Sequence, residues 1–117
     1  MALKKAVKRL RTSDEELDRT ALSGFCDELG VTPITDLALR TRARIGGEVR
    51  SVRVVPRAGA PALEVTINDG RASATAVFLG RRKIAGVVPG RKIIVEGVAG
   101  QHGRRFLMFN PLYTLLP

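Results

Sequence analysis

The sequence has 117 residues, is 44% hydrophobic and carries a formal net charge of +9. This length suits a single domain with a modest core, and no apolar run approaches the roughly 18 residues that a membrane helix needs. The single cysteine, Cys26, excludes an internal disulfide. We therefore expect a cytoplasmic protein without a membrane partner, in which Cys26 is a buried thiol.

The charge is unevenly distributed along the chain. Residues 1–12 carry +5, residues 13–39 carry −6, and residues 40–117 carry +10. A strongly basic small domain attracts polyanions, above all nucleic acid. Residues 1–12 are predicted to be a basic N-terminal arm, which either extends the following helix or is mobile, and which is either a solvated tail or a segment that contacts phosphates.

Residues 13–30 predict the N-terminal helix. Ser13 and Glu16 have the spacing of a capping box, and Gly30 is suited to the position after the last turn. One apolar stripe follows at helical spacing; it consists of Leu17, Ala21, Leu22, Phe25 and Leu29. We expect this stripe to pack on the strands that follow, with a helix-to-helix homodimer or another protein partner as the alternative.

The rest of the chain predicts five strands. Residues 41–55 form a long first strand in which Ile45, Gly47 and Val49 share one face, after which the parity shifts so that Val52 and Val54 point inward. This shift and Gly46-Gly47 indicate a strongly bent or bulged strand. Residues 56–61 are predicted as a loop. Residues 63–68 alternate between apolar and polar, Asp69-Gly70 is a hairpin signal, and residues 72–79 return as the third strand. A short helical element at 80–87, a fourth strand at 93–98, a loop at 100–105 and a fifth strand at 106–116, interrupted at Asn110-Pro111, complete the prediction.

This order of elements predicts a mainly β fold, the five-stranded Greek-key OB-fold barrel, over residues 41–117. The motifs that carry a more specific resemblance are Gly47–Val49, Leu63–Gly70, Ala76–Phe78, Val88–Lys92, Val95–Gly97 and Asn110–Tyr113. Through them, residues 42–117 resemble the OB-fold wedge domain of the RecG helicase, without its motor domains. Length and arginine bias also resemble small stand-alone OB-fold proteins of actinobacteria. The resemblance implies nucleic-acid binding in DNA repair or recombination.

Candidate binding residues fall on one expected face of that fold. OB-folds bind oligonucleotides over the second and third strands and the flanking loops. The candidates are Arg44, Arg50 and Arg53 on the first strand, Arg57 in the loop after it, Thr66, Asn68 and Thr75 on the hairpin, Arg81, Arg82 and Lys83 beyond the third strand, and His102, Arg104 and Arg105 in the last loop. Phe109 is the one candidate platform for stacking a base. The resemblance implies stacking near the end of the third strand, where this chain has Leu79.

Catalytic and metal-binding patterns are not found in the sequence. His102 is the only histidine and Cys26 the only cysteine, which is too few for a zinc site or a nucleophilic triad. No glycine-rich phosphate loop is present. We therefore expect a binding module rather than an enzyme, with no metal and no cofactor. Its expected ligand is single-stranded DNA or RNA, bound electrostatically with low sequence specificity. The alternative is a protein–protein interaction module with no specific nucleic-acid ligand.

Overall fold

The computed structural model describes residues 2–117, with side-chain environments from residue 14 onward. One N-terminal helix is followed by a mixed sheet of seven strands, in the order β5-β6-β3-β2-β1-β4-β7. The elements are α1 (Ala2–Leu29), a 3-10 turn (Ile34–Asp36), β1 (Arg42–Arg57), β2 (Ala60–Asn68), β3 (Ser73–Leu79), β4 (Lys92–Val98), β5 (Gly100–His102), β6 (Arg105–Phe109) and β7 (Leu112–Leu115). The described part of α1 is not apolar enough to cross a membrane. The mainly β class and the N-terminal helix are thus confirmed.

The long strand β1 belongs to two halves of the sheet. Its first half, from Arg42 to Glu48, pairs with β4, and its second half, from Glu48 to Arg57, pairs with β2. The register shifts between Val49 and Ser51, which confirms the predicted bulge. The extra residue in the bulge increases the bend of the strand and lets it serve both partners. Val52 packs against the core as predicted, whereas Val54 is about half exposed.

The predicted closed barrel is wrong, because the sheet is open. The segment predicted as one fifth strand is divided into β6, which pairs in parallel with β3, and β7, which pairs with β4. Asn110 and Pro111 separate them. Asn110 takes a left-handed φ of 48°, its N–H donates to the Val77 carbonyl and its side-chain oxygen accepts from the Leu79 N–H. Pro111 has no N–H to continue a ladder, so strand pairing stops here.

The connections also differ from the predicted ones. Residues 80–91 form turns instead of the predicted helical element, and Ile84 and Val87 from this segment are buried in the core. The predicted loop 56–61 is strand except for a two-residue turn at Ala58 and Gly59, both with positive φ. That conformation is the one that a tight hairpin requires. The predicted loop 100–105 is largely the β5–β6 hairpin.

Helix α1 begins at Ala2, so the predicted start at Ser13 is wrong, and of the two alternatives for the basic N-terminal stretch, extension of the helix is the one confirmed from Ala2 onward. Propensity explains the difference, since residues 2–12 contain neither Gly nor Pro and are rich in Ala, Leu, Lys and Arg. The helix docks on the sheet, as expected, but only through its last turns. Leu22 and Cys26 are buried against Val31 and Ile94, with Phe25 and Leu29 partly buried beside them. Burial raises the pKa of the Cys26 thiol, which agrees with its expected structural role.

The β2–β3 turn holds this docked end of the helix in place. Gly70 lies so close to α1 that a side chain there would collide with the Arg19 carbonyl and the Ser23 backbone. The neighbouring Arg71 donates two hydrogen bonds of 3.0 Å to the Asp27 carboxylate. The buried Asp69 accepts from the backbone N–H groups of Ile34, Arg71 and Ala72 at 2.8–2.9 Å. We call this region, Asp69–Ala72 together with the last turns of α1, the helix-docking end.

The main core lies on the inner face of the sheet. Directly opposed residues form a row across four strands, Val52, Val65, Ala76 and Met108. Ile45, Ile93 and Val95 extend this apolar layer onto the β1–β4 half. Because side chains alternate between the two faces of a strand, the residues between these positions lie on the outer face, where the candidate site is found.

Candidate nucleic-acid interface

A second row of directly opposed residues crosses the outer face of β1, β2, β3 and β6. In register it runs Arg53, Glu64, Val77 and Phe109. Arg57 lies four residues beyond Arg53, and Arg105 four residues before Phe109, so both share this face by the period-two rule. Three of the predicted arginines and the predicted aromatic platform, Phe109, therefore lie on one surface.

Three arginines converge on one buried carboxylate. Glu64 is 3% exposed, and its Oε1 accepts from Arg53 at 3.2 Å and from Arg105 at 3.1 Å, while its Oε2 accepts from Arg57 at 3.3 Å. Arg105 also donates to the Thr75 hydroxyl at 3.3 Å. We call this group, Arg53, Arg57 and Arg105 around Glu64, the arginine cluster. Its three positive charges exceed its one negative charge, leaving a net +2.

The electrostatics of the cluster follow from burial and hydrogen bonding acting in opposite directions. Burial alone would raise the pKa of Glu64, because a low-dielectric site disfavours the charged form. Hydrogen bonds from Arg105, Arg53 and Arg57 favour the carboxylate and outweigh burial, so the pKa of Glu64 lies below its ordinary value. Glu64 is thus ionised at neutral pH and holds the three guanidinium groups in fixed positions.

An exposed aromatic ring borders the cluster. Phe109 is 49% exposed, and the Arg57 guanidinium carbon lies 5.4 Å from its ring centroid, within cation–π range. The Nε of Arg57 is buried and has no hydrogen-bond partner among the described atoms. Beneath these side chains, Ala62, Val77 and Leu107 form a small buried apolar patch on the same face. Val77 of this patch lies directly opposite Glu64 in the β2–β3 register.

The remaining candidates divide into residues that adjoin the cluster and residues that lie elsewhere. His102 and Arg104 are exposed in the β5–β6 hairpin, whose His102 pairs directly with Arg105. Arg81, Arg82 and Lys83 are exposed in the segment that leaves β3, which is tied to β2 by the hydrogen bond from Gly80 N–H to the Pro61 carbonyl. Thr66 lies opposite Thr75. His102 is thus paired with a residue of the arginine cluster, and Thr66 is paired with the Thr75 that Arg105 contacts.

Arg44, Arg50 and Asn68 are not brought to the cluster. Arg44 lies opposite Glu96 on the β1–β4 half. Arg50 is the bulge residue, lies 3.5 Å from Glu48, and lines a cleft of about 360 Å³ between the sheet and α1. The Asn68 side chain is used by the β2–β3 turn, where it accepts from Gly70 N–H and donates to Ser73. The sequence predicts a bulge in this strand but does not identify Arg50 as the bulge residue.

Glu64 is the residue of this site that sequence reasoning missed. The alternation of residues 63–68 places Glu64 on the polar face of the hairpin, but no sequence pattern marks it as a site residue. One available signal is that Glu64 is one of only four acids after residue 39. Its position opposite Arg53 depends on the bulged register of β1, which the sequence does not specify.

Comparison with known proteins adds no family to these observations. No protein-family model matches the sequence, and no curated protein is significantly similar to it. The function must therefore be argued from the site itself.

Proposed function

We propose that this chain is a nucleic-acid-binding module that holds single-stranded DNA or RNA on the outer face of β1, β2, β3 and β6. The observation that carries the proposal is the arginine cluster with its net charge of +2 beside the exposed ring of Phe109. A positively charged groove and an aromatic platform are the two parts that single-strand binders combine.

The three arginines that donate to Glu64 retain further N–H groups that can donate to a ligand. A guanidinium has five N–H donors, and each arginine uses a single nitrogen on Glu64. The side chains of Arg53, Arg57 and Arg105 are 63%, 34% and 47% exposed. Their remaining N–H groups can donate to phosphate oxygens and release counterions, which gives affinity that depends on salt and little on sequence.

Phe109 supplies the contact that would favour a single strand over a duplex. A base in a duplex is already stacked, whereas an unpaired base can stack on an exposed ring. Arg57 lies over the ring and would form part of the same platform, because guanidinium planes also stack on bases. This arrangement requires no particular base, consistent with low sequence specificity.

The strand pairing supports an OB-type module despite the open sheet. β1 pairs with both β2 and β4, and β3 runs parallel to β6. If β6 and β7 are two parts of one fifth strand, divided at Asn110 and Pro111, the connectivity is that of a five-stranded Greek key. With the resemblance to the helicase wedge, this supports a role in DNA repair or recombination. The single cysteine supports a cytoplasmic setting.

The test is fluorescence anisotropy with labelled single-stranded DNA, single-stranded RNA and duplex DNA over a range of salt concentrations. The Arg53→Gln/Arg105→Gln variant is compared with the control Arg40→Gln/Arg42→Gln, which removes the same charge outside the cluster. We expect the first pair to reduce the slope of log affinity against log salt by about 1.4 for single strands. The control pair should leave that slope nearly unchanged, and thermal unfolding would show that both variants fold.

Equal weakening by the two variants would mean that only net charge matters, and would overturn the proposed site. Binding that disappears at physiological salt, equally for all three ligands, would overturn the proposed function. The protein-interaction alternative would then be pursued. The expectations that the chain is not an enzyme and uses no metal or cofactor stay predictions.

A further inference from the structure

The arginine cluster converges on one point instead of extending along the sheet. Arg53 and Arg105 donate to the same oxygen of Glu64, at 3.2 and 3.1 Å, and Arg57 donates to the other oxygen of that carboxylate at 3.3 Å. The three donating nitrogens therefore surround a single carboxylate group. Donors grouped in this way suit one anion with several oxygens better than a row of separate anions.

Further donors remain on all three arginines of the cluster. Each arginine donates to Glu64 through Nη2, and the Nη1 groups have no hydrogen-bond partner among the residues that the structure describes. The Glu64 side chain is 4% exposed, whereas the least exposed of the arginine side chains, that of Arg57, is 34% exposed. The guanidinium groups therefore lie closer to solvent than the carboxylate does, and a ligand would meet them first.

The net charge of the cluster matches that of a phosphate monoester. Three guanidinium groups and the ionised Glu64 carboxylate leave a charge of +2. A phosphate monoester carries about −1.5 to −2 at pH 7, whereas each phosphate within a nucleic-acid strand is a diester with a single negative charge. A phosphate at the end of a strand therefore balances the cluster with one group, and an internal phosphate leaves positive charge unbalanced.

The exposed ring of Phe109 favours a nucleic-acid end over other phosphate monoesters. Arg57 connects the ring to the cluster, because it donates to Glu64 and its guanidinium carbon lies 5.4 Å from the ring centroid. A terminal nucleotide carries a base and a phosphate on the same sugar, so it can place the phosphate on the cluster and the base on Phe109 or on the plane of Arg57. A phosphorylated peptide offers the same anion without a base beside it.

We propose that this site binds the phosphorylated end of a DNA or RNA strand, with the terminal phosphate monoester on the arginine cluster and the terminal base on Phe109. This inference rests on the proposed function and narrows its preferred ligand from any single strand to a phosphorylated strand end. A strand without such an end would use the same arginines for an internal phosphate, with lower affinity because the charges then match less well.

Fluorescence anisotropy with single strands that differ only at one end tests this inference. The strands share one sequence of about ten nucleotides, are labelled at an internal position, and end in a 5′-phosphate, a 3′-phosphate, a 5′-methyl phosphate or hydroxyl groups alone. We expect at least one of the two phosphate monoesters to raise the affinity of the full chain about tenfold over hydroxyl ends, through charge-assisted hydrogen bonds. The methyl phosphate is a diester with one charge less and should raise the affinity only about twofold.

Variants of the protein assign this gain to the cluster. Arg53→Gln/Arg105→Gln should reduce the gain from the terminal phosphate to about twofold, whereas the control Arg40→Gln/Arg42→Gln, which removes the same charge outside the cluster, should keep it. Thermal unfolding checks that both variants fold. A phosphoserine peptide and a free nucleoside monophosphate serve as competitors, and each should displace the phosphorylated strand only at concentrations at least about tenfold above those of the unlabelled strand.

Equal affinity of the wild type for all the strand ends, with the cluster variant weaker than its control, would overturn this inference and leave the proposed function standing. No binding of any strand at physiological salt would overturn both. If the phosphopeptide or the free nucleoside monophosphate competes as well as the phosphorylated strand, the cluster recognises phosphate alone, and the assignment to a strand end is wrong.

Discussion

Two buried carboxylates of the sheet, Asp69 and Glu64, are 1% and 3% exposed, but their partners differ. Asp69, at the helix-docking end, accepts three backbone N–H groups, so its hydrogen bonds serve the local fold. Glu64, in the arginine cluster, accepts only from arginine side chains, which keep further donors exposed. The same chemical group thus fixes a turn in one region and organises a ligand-accessible surface in the other.

The arginines of the two regions differ in the same way. Arg71 is committed to Asp27 through two hydrogen bonds from two nitrogens, and one acid balances one base. In the arginine cluster three bases share one acid. A count of basic residues therefore overestimates the positive charge that a surface offers to a ligand. The relevant quantity is the charge that remains after internal ion pairs are subtracted.

The largest effect on stability is expected for Asp69→Ala. This change leaves the buried N–H group of Ile34 and the partly buried N–H groups of Arg71 and Ala72 without their acceptor, and an unsatisfied buried group costs about 1–3 kcal/mol. We expect the free energy of unfolding, measured by urea denaturation, to fall by about 4 kcal/mol. The matched control Asp36→Ala removes an exposed carboxylate and should change stability by less than about 0.5 kcal/mol. A similar effect of both variants would contradict the role assigned to Asp69.

A smaller loss is expected for Gly70→Ala, with Gly59→Ala as its control. Both glycines have positive φ, 93° and 80°, so both variants carry the backbone cost of about 1–2 kcal/mol. Only at Gly70 would the new methyl group collide with α1, whereas the space around Gly59 is open. We expect Gly70→Ala to destabilise the protein by about 3 kcal/mol in urea unfolding and Gly59→Ala by about 1 kcal/mol. Equal losses would show that helix docking does not constrain Gly70.

Glu64→Gln should affect stability and binding in opposite directions. The variant removes the charge that holds the arginines, and we expect a loss of about 2 kcal/mol at pH 7. It also raises the net charge of the face by one through loss of the carboxylate, so affinity for single strands at low salt should rise about threefold. A loss of affinity in the folded variant would show that positioning of the arginines by Glu64 matters more than the surplus charge.

The same carboxylate predicts a pH dependence. The pKa of Glu64 is lower in the folded chain than its ordinary value, so its contribution to stability is present above that ordinary value, about 4.3. The contribution is lost as the pH falls through the lowered folded value. The stability difference between wild type and Glu64→Gln, followed by urea unfolding from pH 7 downward, should therefore shrink below about pH 4. A difference that stays constant to pH 2 would contradict this linkage.

The sequence predicted elements whose signals are local. The Asp69-Gly70 turn, the alternation of residues 63–68 and the bulge in β1 each depend on neighbouring residues, and each was placed correctly. The start of α1 was misplaced, because a capping box at Ser13 competed with a continuous run of helix formers before it. Whether the sheet closes into a barrel at Asn110 depends on how the flanking strands pair with the distant strands β3 and β4. This pairing could not be derived from the local pattern.

The candidate site shows the same limit. Outward positions of Arg53, Arg57 and Arg105 followed from parity and loop assignment, but their convergence on Glu64 required the register between four strands. Arg50 lies apart from the arginine cluster, at the bulge of β1, and lines the cleft beside α1. Parity thus predicts the face of a regular strand and fails at an irregularity.

The smallest expected effect, Phe109→Ala, separates stacking from charge within the arginine cluster. The substitution leaves the three arginines and Glu64 in place, so its salt dependence should match that of the wild type. Base–aromatic stacking is worth about 1–3 kcal/mol per base. Because Arg57 already occupies part of the ring, we expect the lower end, a loss of roughly fivefold in affinity for single-stranded DNA and RNA by anisotropy. Duplex DNA should bind the variant as it binds the wild type.

The control for this measurement is Phe109→Leu, which keeps apolar bulk over the half-exposed site but removes the aromatic ring. If stacking is responsible, the leucine variant should lose as much single-strand affinity as the alanine variant while its thermal stability stays closer to that of the wild type. If the leucine variant binds like the wild type, Phe109 acts only by packing beneath Arg57, and the preference for single strands must come from the arginines alone.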